Sequence, residues 1–106
     1  MSFFGSEGKS IDHDKAGEWT SSFRKANPNK TIAHFFGRDI LTDILNQEGC
    51  RGIRFYYGSD GGVAQLIAVG ADENENDQLD ENHIVADEAH ACPSSCSQPN
   101  ILNGRE

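Results

Sequence analysis

Four potential metal ligands lie close together in the last quarter of this 106-residue sequence. Two imidazoles and two thiols fall within fourteen residues, at His83, His90, Cys92 and Cys96. Four nitrogen and sulfur ligands suit tetrahedral zinc, so zinc is the cofactor that this pattern would hold. The spacing of the two cysteines also fits a small disulfide loop or a pair of reduced thiols. Metal binding through this segment is therefore one of two alternative functions that we keep.

A second group of residues has the chemistry of a small-ligand site or an enzyme. His34 and Asp39 supply an imidazole and a carboxylate, and Arg54 and Tyr56 follow at the centre of the sequence. Cys50 beside them could act as a nucleophile. A small thiol at the edge of a strand is, however, ordinary in protein cores, so we predict no catalytic residue. A ligand binder or enzyme built on the other four residues is the third functional hypothesis.

The acidic segment 72–78 resembles the first half of a calcium-binding loop, with oxygen-bearing side chains at alternate positions. Position 6 of that pattern holds Asp77, where a calcium loop has glycine. Position 12 holds His83, where a calcium loop has a bidentate glutamate. The segment is therefore predicted to be a solvated acidic loop.

Charge argues against two classes of partner. The formal net charge is −8, and residues 59–106 hold one Lys or Arg against ten Asp or Glu. Nucleic acids and anionic membrane surfaces both require a basic face, so neither is expected to bind. No apolar run is long enough to span a bilayer, and the first ten residues lack the features of a secretory signal. With three cysteines, an odd number, the chain is expected in the cytoplasm.

Two helices are predicted in the first half of the chain. Residues 12–26 carry an apolar stripe that contains Trp19 and Phe23, and Pro28 ends this helix. Residues 38–47 form a second amphipathic helix with isoleucine and leucine on one side. The segment between them, residues 30–36, fits either a short strand or the first turn of the second helix, and we favour the strand.

The strongest local prediction is a β-hairpin. Residues 52–58 alternate apolar and polar side chains, and residues 63–71 return after a turn that contains Gly61 and Gly62. The second strand is apolar on nearly both faces, which is typical of a strand that is covered twice. Residues 72–106 are acidic and largely irregular, with one possible short strand at residues 83–86.

The segments AHFFGRDIL, ILNQEGCRGIRFYYG, LIAVGAD and CPSSC give the chain a resemblance to a family of short uncharacterised bacterial proteins. That family's pattern pairs HFFG-x-D-I with GC-x-G-I-R-x-Y-Y, a V-G-x-D strand end and a late CP-x-x-C. The resemblance covers about two-thirds of the chain, from Thr31 to Cys96, and it implies no chemical role. The matching positions of interest are Gly37, Asp39, Gly52, Arg54, Tyr56, Gly70 and Asp72.

These observations predict an α+β fold with two helices on a small, mainly antiparallel sheet built around one hairpin. Residues 1–11 are expected to be flexible, residues 12–71 to form the domain and residues 72–106 to form the tail. Two or three strands are marginally stable alone, so sheet extension or face packing between copies is expected. The favoured function is a non-enzymatic interaction or self-assembly module, with a second copy or another protein as partner.

Overall fold

The computed structural model describes residues 2–104, and within them it confirms the α+β class. The elements follow in the order α1 (His13–Ala26), β1 (Ala33–Phe35), α2 (Arg38–Leu45), β2 (Gly52–Asp60), β3 (Val63–Ala71), β4 (Val85–Ala86) and β5 (His90–Cys92). They divide into two units, each made of two separate segments. Unit 1 comprises residues 2–7 and 36–89, and unit 2 comprises residues 8–35 and 90–104. No helix in the described range is long and apolar enough to cross a membrane.

The β2–β3 hairpin is the centre of unit 1. Its pairing runs without interruption from Gly52 opposite Ala71 to Asp60 opposite Val63. Gly61 and Gly62 make the two-residue turn with φ values of +57° and +91°. A turn with two positive φ values matches the twist of antiparallel strands, and glycine adopts it without a steric cost. β4 pairs with the other side of β3 at two positions, which gives the strand order β2-β3-β4.

Helix α2 packs on the hairpin and closes the core of unit 1. Ile44 on the helix and Ala68 on β3 are both 0% exposed, and Ala86 of β4 completes the buried cluster. The rings of Phe36 and Phe55 meet beside it with their centroids 6.0 Å apart. Ile40 and Ile44 of the predicted apolar stripe therefore pack in the core, whereas Leu45 at the end of the helix is 48% exposed.

Two glutamine side chains hold the end of α2 to the segment that follows β3. The Gln47 amide donates to the Gln78 oxygen at 3.0 Å, and its own oxygen accepts from the Ile84 backbone at 2.7 Å. The Gln78 amide donates to the backbone oxygen of Glu48 at 2.9 Å. Gln78 is only 7% exposed, so these bonds satisfy a buried polar group that would otherwise be costly.

Unit 2 contains α1 and the antiparallel strand pair β1–β5. Asp12 caps the helix by accepting from the backbone N–H of Lys15 at 3.1 Å. β1 pairs with β5 in antiparallel register, and a disulfide joins Cys92 to Cys96 just after it. Residues 97–104 return to α1, where the Arg24 guanidinium donates to the backbone oxygen of Leu102 at 2.6 Å.

The predicted elements are found close to their expected bounds, whereas the C-terminal segment is more ordered than expected. Residues 33–35 form the strand that we favoured, and Val85 and Ala86 form the short strand placed at residues 83–86. Residues predicted as tail supply β4 to unit 1 and β5 to unit 2. The predicted division at residue 71 missed these pairings because two- and three-residue strands carry almost no periodic signal.

Gly70 provides a test of the packing around the two glutamines. A Cβ at this position would lie 2.6 Å from Gln78 Oε1, 3.0 Å from Cys50 Sγ and 3.1 Å from Gln47 Nε2. Because hydrogen bonds hold both amides in place, we expect Gly70→Ala to lower the free energy of unfolding by about 1–3 kcal/mol. Urea denaturation followed by circular dichroism measures the change.

Gly52→Ala is the matched control for this substitution. Gly52 lies in the paired strand, and a Cβ there would meet nothing within 4 Å. The same chemical change should therefore leave stability unaltered or raise it slightly, since alanine reduces the freedom of the unfolded chain. Equal effects of the two substitutions would contradict the close packing at Gly70.

Candidate functional site

The distal half of the hairpin exposes aromatic side chains on an unpaired strand edge. Tyr57 is 94% exposed, and Phe55, Tyr56 and Val63 are each about half exposed or more. In the strand order β2-β3-β4, β2 is an outer strand, and no described residue pairs with its outer side. We define the hairpin edge as the outer side of β2 from residue 54 to residue 60.

The direction of the backbone groups along the hairpin edge follows from one hydrogen bond. The Gln78 N–H donates to the Gly70 oxygen at 2.8 Å, so Gly70 directs its backbone groups away from β2. Its partner across the pair, Ile53, consequently directs its own groups away from β3. Every second residue repeats this orientation, so Phe55, Tyr57 and Ser59 present backbone donors and acceptors at the hairpin edge.

A charged cluster lies on one face of the same strand. Strand alternation places Arg54 and Tyr56 side by side, and both side chains reach the carboxylate of Asp77. The guanidinium donates to one oxygen of Asp77, and the tyrosine hydroxyl donates to the other. Arg54 also donates to the backbone oxygen of Glu75 at 3.2 Å and stacks over the ring of Phe3 at 5.3 Å.

These contacts shift three pKa values in directions that follow from the geometry. The Tyr56 hydroxyl and then the Arg54 guanidinium stabilise the carboxylate, so the pKa of Asp77 is lowered despite partial desolvation. The hydrogen bond to Asp77, aided by desolvation and by its negative charge, raises the pKa of Tyr56. The hydrogen bond to Asp77 also raises the pKa of Arg54. In this charged cluster the Arg54 guanidinium and the Tyr56 hydroxyl therefore supply the hydrogen bonds that the Asp77 carboxylate accepts.

A groove of about 340 Å³ lies next to this cluster in unit 1. Phe3 and Glu7 line it together with Arg51 and Arg54. Arg51 is paired with Glu73 at 2.9 Å, and Arg54 is paired with Asp77. Glu7 accepts from the backbone N–H of Phe4 at 2.8 Å, which is the main cause of its lowered pKa. Both guanidinium groups are thus already neutralised by carboxylates of the same chain.

Only part of the predicted ligand set is brought together. Arg54 and Tyr56 meet at Asp77, whereas Asp39 has a side chain that is 95% exposed and lies 3.7 Å from Arg38. His34 belongs to unit 2, where its Nε2 atom is buried without a hydrogen-bond partner. Asp77 was not predicted because its segment joins β3 through one isolated bridge, Ala71 to Asp77, which leaves no periodic pattern in the sequence.

The predicted zinc ligands are divided in the same way. Cys92 and Cys96 form a disulfide, so in this state their sulfur atoms are not thiolate ligands. His90 lies beside them in unit 2, and His83 lies in unit 1 with a buried, unpartnered Nδ1 atom. Among residues 2–104, no three His, Cys, Asp or Glu side chains gather as a metal-binding group. Zinc binding remains a prediction for the chain in which the Cys92–Cys96 disulfide is reduced.

Two other expectations find a structural explanation. The Asp72 carboxylate accepts from the backbone of Asn74 at 2.9 Å and of Asn76 at 3.0 Å, so it shapes its own loop. The Cys50 thiol is half-buried and donates to the Gly52 oxygen at 3.2 Å. Both groups thus have a hydrogen-bonding role within unit 1.

Comparison of the chain with known protein families, with curated proteins and with solved structures finds no match in any of the three. The resemblance to a family of short bacterial proteins therefore stays a prediction. The features that bear on function are therefore the hairpin edge, the charged cluster and the cavities of the two units.

The charged cluster predicts a specific pH dependence of stability. Because folding lowers the pKa of Asp77, the ionised Asp77 carboxylate stabilises the folded state. This stabilisation is fully present above the ordinary carboxylate pKa of about 3.9 and is lost as the pH falls through the lower pKa of the folded state. Because folding raises the pKa of Tyr56, its protonated hydroxyl stabilises the folded state below about pH 10, and this stabilisation is lost as the pH rises through the higher pKa of the folded state. Asp77→Asn should flatten both flanks in denaturation profiles measured from pH 2 to pH 11.

Glu75→Gln is the control for this experiment. Glu75 lies two residues from Asp77, but Arg54 contacts its backbone oxygen and not its carboxylate. The wild-type pH profile should therefore persist in this variant. A profile of Asp77→Asn that follows the wild type at both ends would contradict the assignment.

Proposed function

We propose that this chain is a non-enzymatic self-assembly module whose hairpin edge pairs with the hairpin edge of a second copy. The two β2 strands run antiparallel about a two-fold axis perpendicular to the sheet. The result is a continuous six-stranded sheet in the order β4-β3-β2-β2-β3-β4. The carrying observation is the unpaired edge of β2 with an almost fully exposed tyrosine at its centre.

The hairpin edge lacks the features that keep strand edges apart in monomeric proteins. Natural edges are blunted by proline, bulges, inward charges or short length. β2 has nine residues in uninterrupted register, and residues 55–59 contain no proline and no charged side chain. Its donors and acceptors at Phe55, Tyr57 and Ser59 are available for four or more new backbone hydrogen bonds, in the manner of β-strand addition.

One register fits the two-fold arrangement best. If Tyr57 lies on the axis, residue 57 opposes its own copy and the overlap covers residues 54–60. The overlap contains the exposed residues 55–60 and the half-buried Arg54, while residues 52–53, also half-buried, remain outside it. Pairing about Tyr56 would instead draw Gly52 into the interface, next to the segment of Phe3 and Glu7.

Charge supports a second copy as the partner. In the register centred on Tyr57, Arg54 of one copy lies directly opposite Asp60 of the other, and the pair occurs twice. Opposite charges at directly facing positions stabilise an antiparallel pair, and no like charges face each other in this overlap. The hairpin edge is therefore complementary to itself, as a two-fold interface requires.

A charge at position 57 tests the two-fold register. Tyr57→Lys places two like charges opposite each other on the axis and removes a tyrosine pair, so we expect dimer affinity to fall by about tenfold or more. Tyr57→Glu should have the same effect. An equimolar mixture of the two variants should regain affinity, because opposite charges then face each other. Sedimentation velocity and native mass spectrometry across micromolar concentrations measure the three samples.

Val85→Lys is the matched control, since Val85 is 52% exposed in unit 1 but lies on β4, at the opposite edge of the sheet. It introduces the same charge outside the hairpin edge and should leave the association unchanged. A wild-type chain that stays monomeric up to 100 µM, or a mixture that fails to associate more strongly than either variant, would overturn the proposal.

A further inference from the structure

The Cys92–Cys96 disulfide lies in the wall of an open cavity in unit 2. The cavity has a volume of about 360 Å³, which is within the range of small-molecule sites. Residues 32–35, the two ends of β5 and parts of the 95–103 segment line it, and Thr20 of α1 closes one side. A small molecule that enters the cavity therefore meets the disulfide. The hairpin edge, in unit 1, has no part in this site.

The two cysteines differ in their access to solvent. Cys92 is 5% exposed at the end of β5, whereas Cys96 is half-buried in the segment that follows. Thiol–disulfide exchange begins when a thiolate attacks one of the two sulfur atoms, so access determines which sulfur is attacked. The difference in exposure therefore favours attack at Cys96, with Cys92 as the leaving group.

The charge of the cavity wall is compatible with an incoming thiolate, which is the reactive form of a thiol. None of the lining residues in the described range is Asp, Glu, Lys or Arg. His34 and His90 are the lining side chains that can gain a charge, and that charge is positive. The described wall thus contains no anionic group that would repel the nucleophile.

Backbone hydrogen bonds hold the two cysteines in place independently of the S–S bond. The Cys92 oxygen accepts from the Ile32 N–H at 2.9 Å, and the Ser95 N–H donates to the Ala91 oxygen at 2.9 Å just before Cys96. The disulfide closes a loop with a sequence separation of only 4, so it restricts the unfolded chain less than a long-range disulfide would. Unit 2 is therefore expected to stay folded after reduction, with both thiols near enough to re-form the bond.

We propose that Cys92 and Cys96 form a reversible exchange site for small-molecule thiols, in which Cys96 is the attacked sulfur and Cys92 the leaving one. The thiolate of a small thiol attacks Sγ of Cys96, the S–S bond breaks, and Sγ of Cys92 leaves as a thiolate that takes a proton from water. A second small thiolate attacks the small-molecule sulfur of the mixed disulfide and releases Cys96 as a thiolate, which is also protonated. Two small thiols are thereby oxidised to one small disulfide, and the protein disulfide gains the two electrons.

Reduction of the full chain under native conditions tests the reversibility. 2-Mercaptoethanol should reduce the disulfide without denaturant. In ¹H–¹⁵N spectra the signals of residues 32–35 and 90–103 should move, while those of α1 stay dispersed. Addition of 2-hydroxyethyl disulfide should restore the original spectrum. The proposal is overturned if reduction requires urea, or if it collapses the signals of α1.

The attacked sulfur is identified with two variants that also carry Cys50→Ser, so that one thiol remains in each. With Cys92→Ser, the Cys96 thiol should form a mixed disulfide with 2-hydroxyethyl disulfide, seen as a gain in mass. With Cys96→Ser, the Cys92 thiol should react about tenfold more slowly because it is buried. Cys50→Ser alone keeps the disulfide and is the matched control, which should gain no mass. Equal rates, or a faster reaction at Cys92, would overturn the assignment.

The wild-type chain gives the same information if either variant fails to fold. Acid quenching during reduction by 2-mercaptoethanol captures the intermediate, and peptide mass spectrometry locates the mixed disulfide. We expect it on Cys96, with Cys92 as the free thiol. An intermediate found mainly on Cys92 contradicts the proposal.

Discussion

Gln47 and Gln78 join three parts of unit 1 that no periodic pattern connects. One lies at the end of α2, and the other lies beyond the acidic loop, yet their amides hold each other and two backbone groups. Buried amides are stabilising only when every bond is made. The absence of a Cβ at Gly70 is what gives them room. The sheet, the helix and the loop therefore depend on one small polar contact, and the apolar core around Ile44 is built against it.

The regular elements were accessible from sequence, and the contacts between them were not. The hairpin was predictable because strand alternation and a two-glycine turn act over neighbouring residues. The same local reasoning placed α1 almost to the residue. It could not assign Asp77 to Arg54, or Cys92 to Cys96 over the metal alternative, because such choices depend on which distant segments meet in space. The residue types are compatible with several partners for Arg54 and for the two cysteines, and the three-dimensional contacts determine which partner each of them has.

The two units present different kinds of surface. Unit 1 exposes Phe55 and Tyr57 on a strand whose backbone is also unpaired, which favours an extended partner. Unit 2 arranges apolar and polar residues around an open cavity of about 360 Å³. The acidic character of the chain is confined almost entirely to unit 1, where Arg51 and Arg54 are already occupied by Glu73 and Asp77.

The interleaved order of segments sets a sequence of events during synthesis. The hairpin of β2 and β3 joins neighbours in the chain and can form as soon as residue 71 has left the ribosome. β1 emerges earlier but has to wait for β5, since Phe35 pairs with His90. Unit 2 is therefore completed last, after most of unit 1. A chain that stops before residue 90 leaves β1 without its partner strand and Arg24 of α1 without its contact to Leu102, so unit 2 has no partly completed form that keeps both contacts.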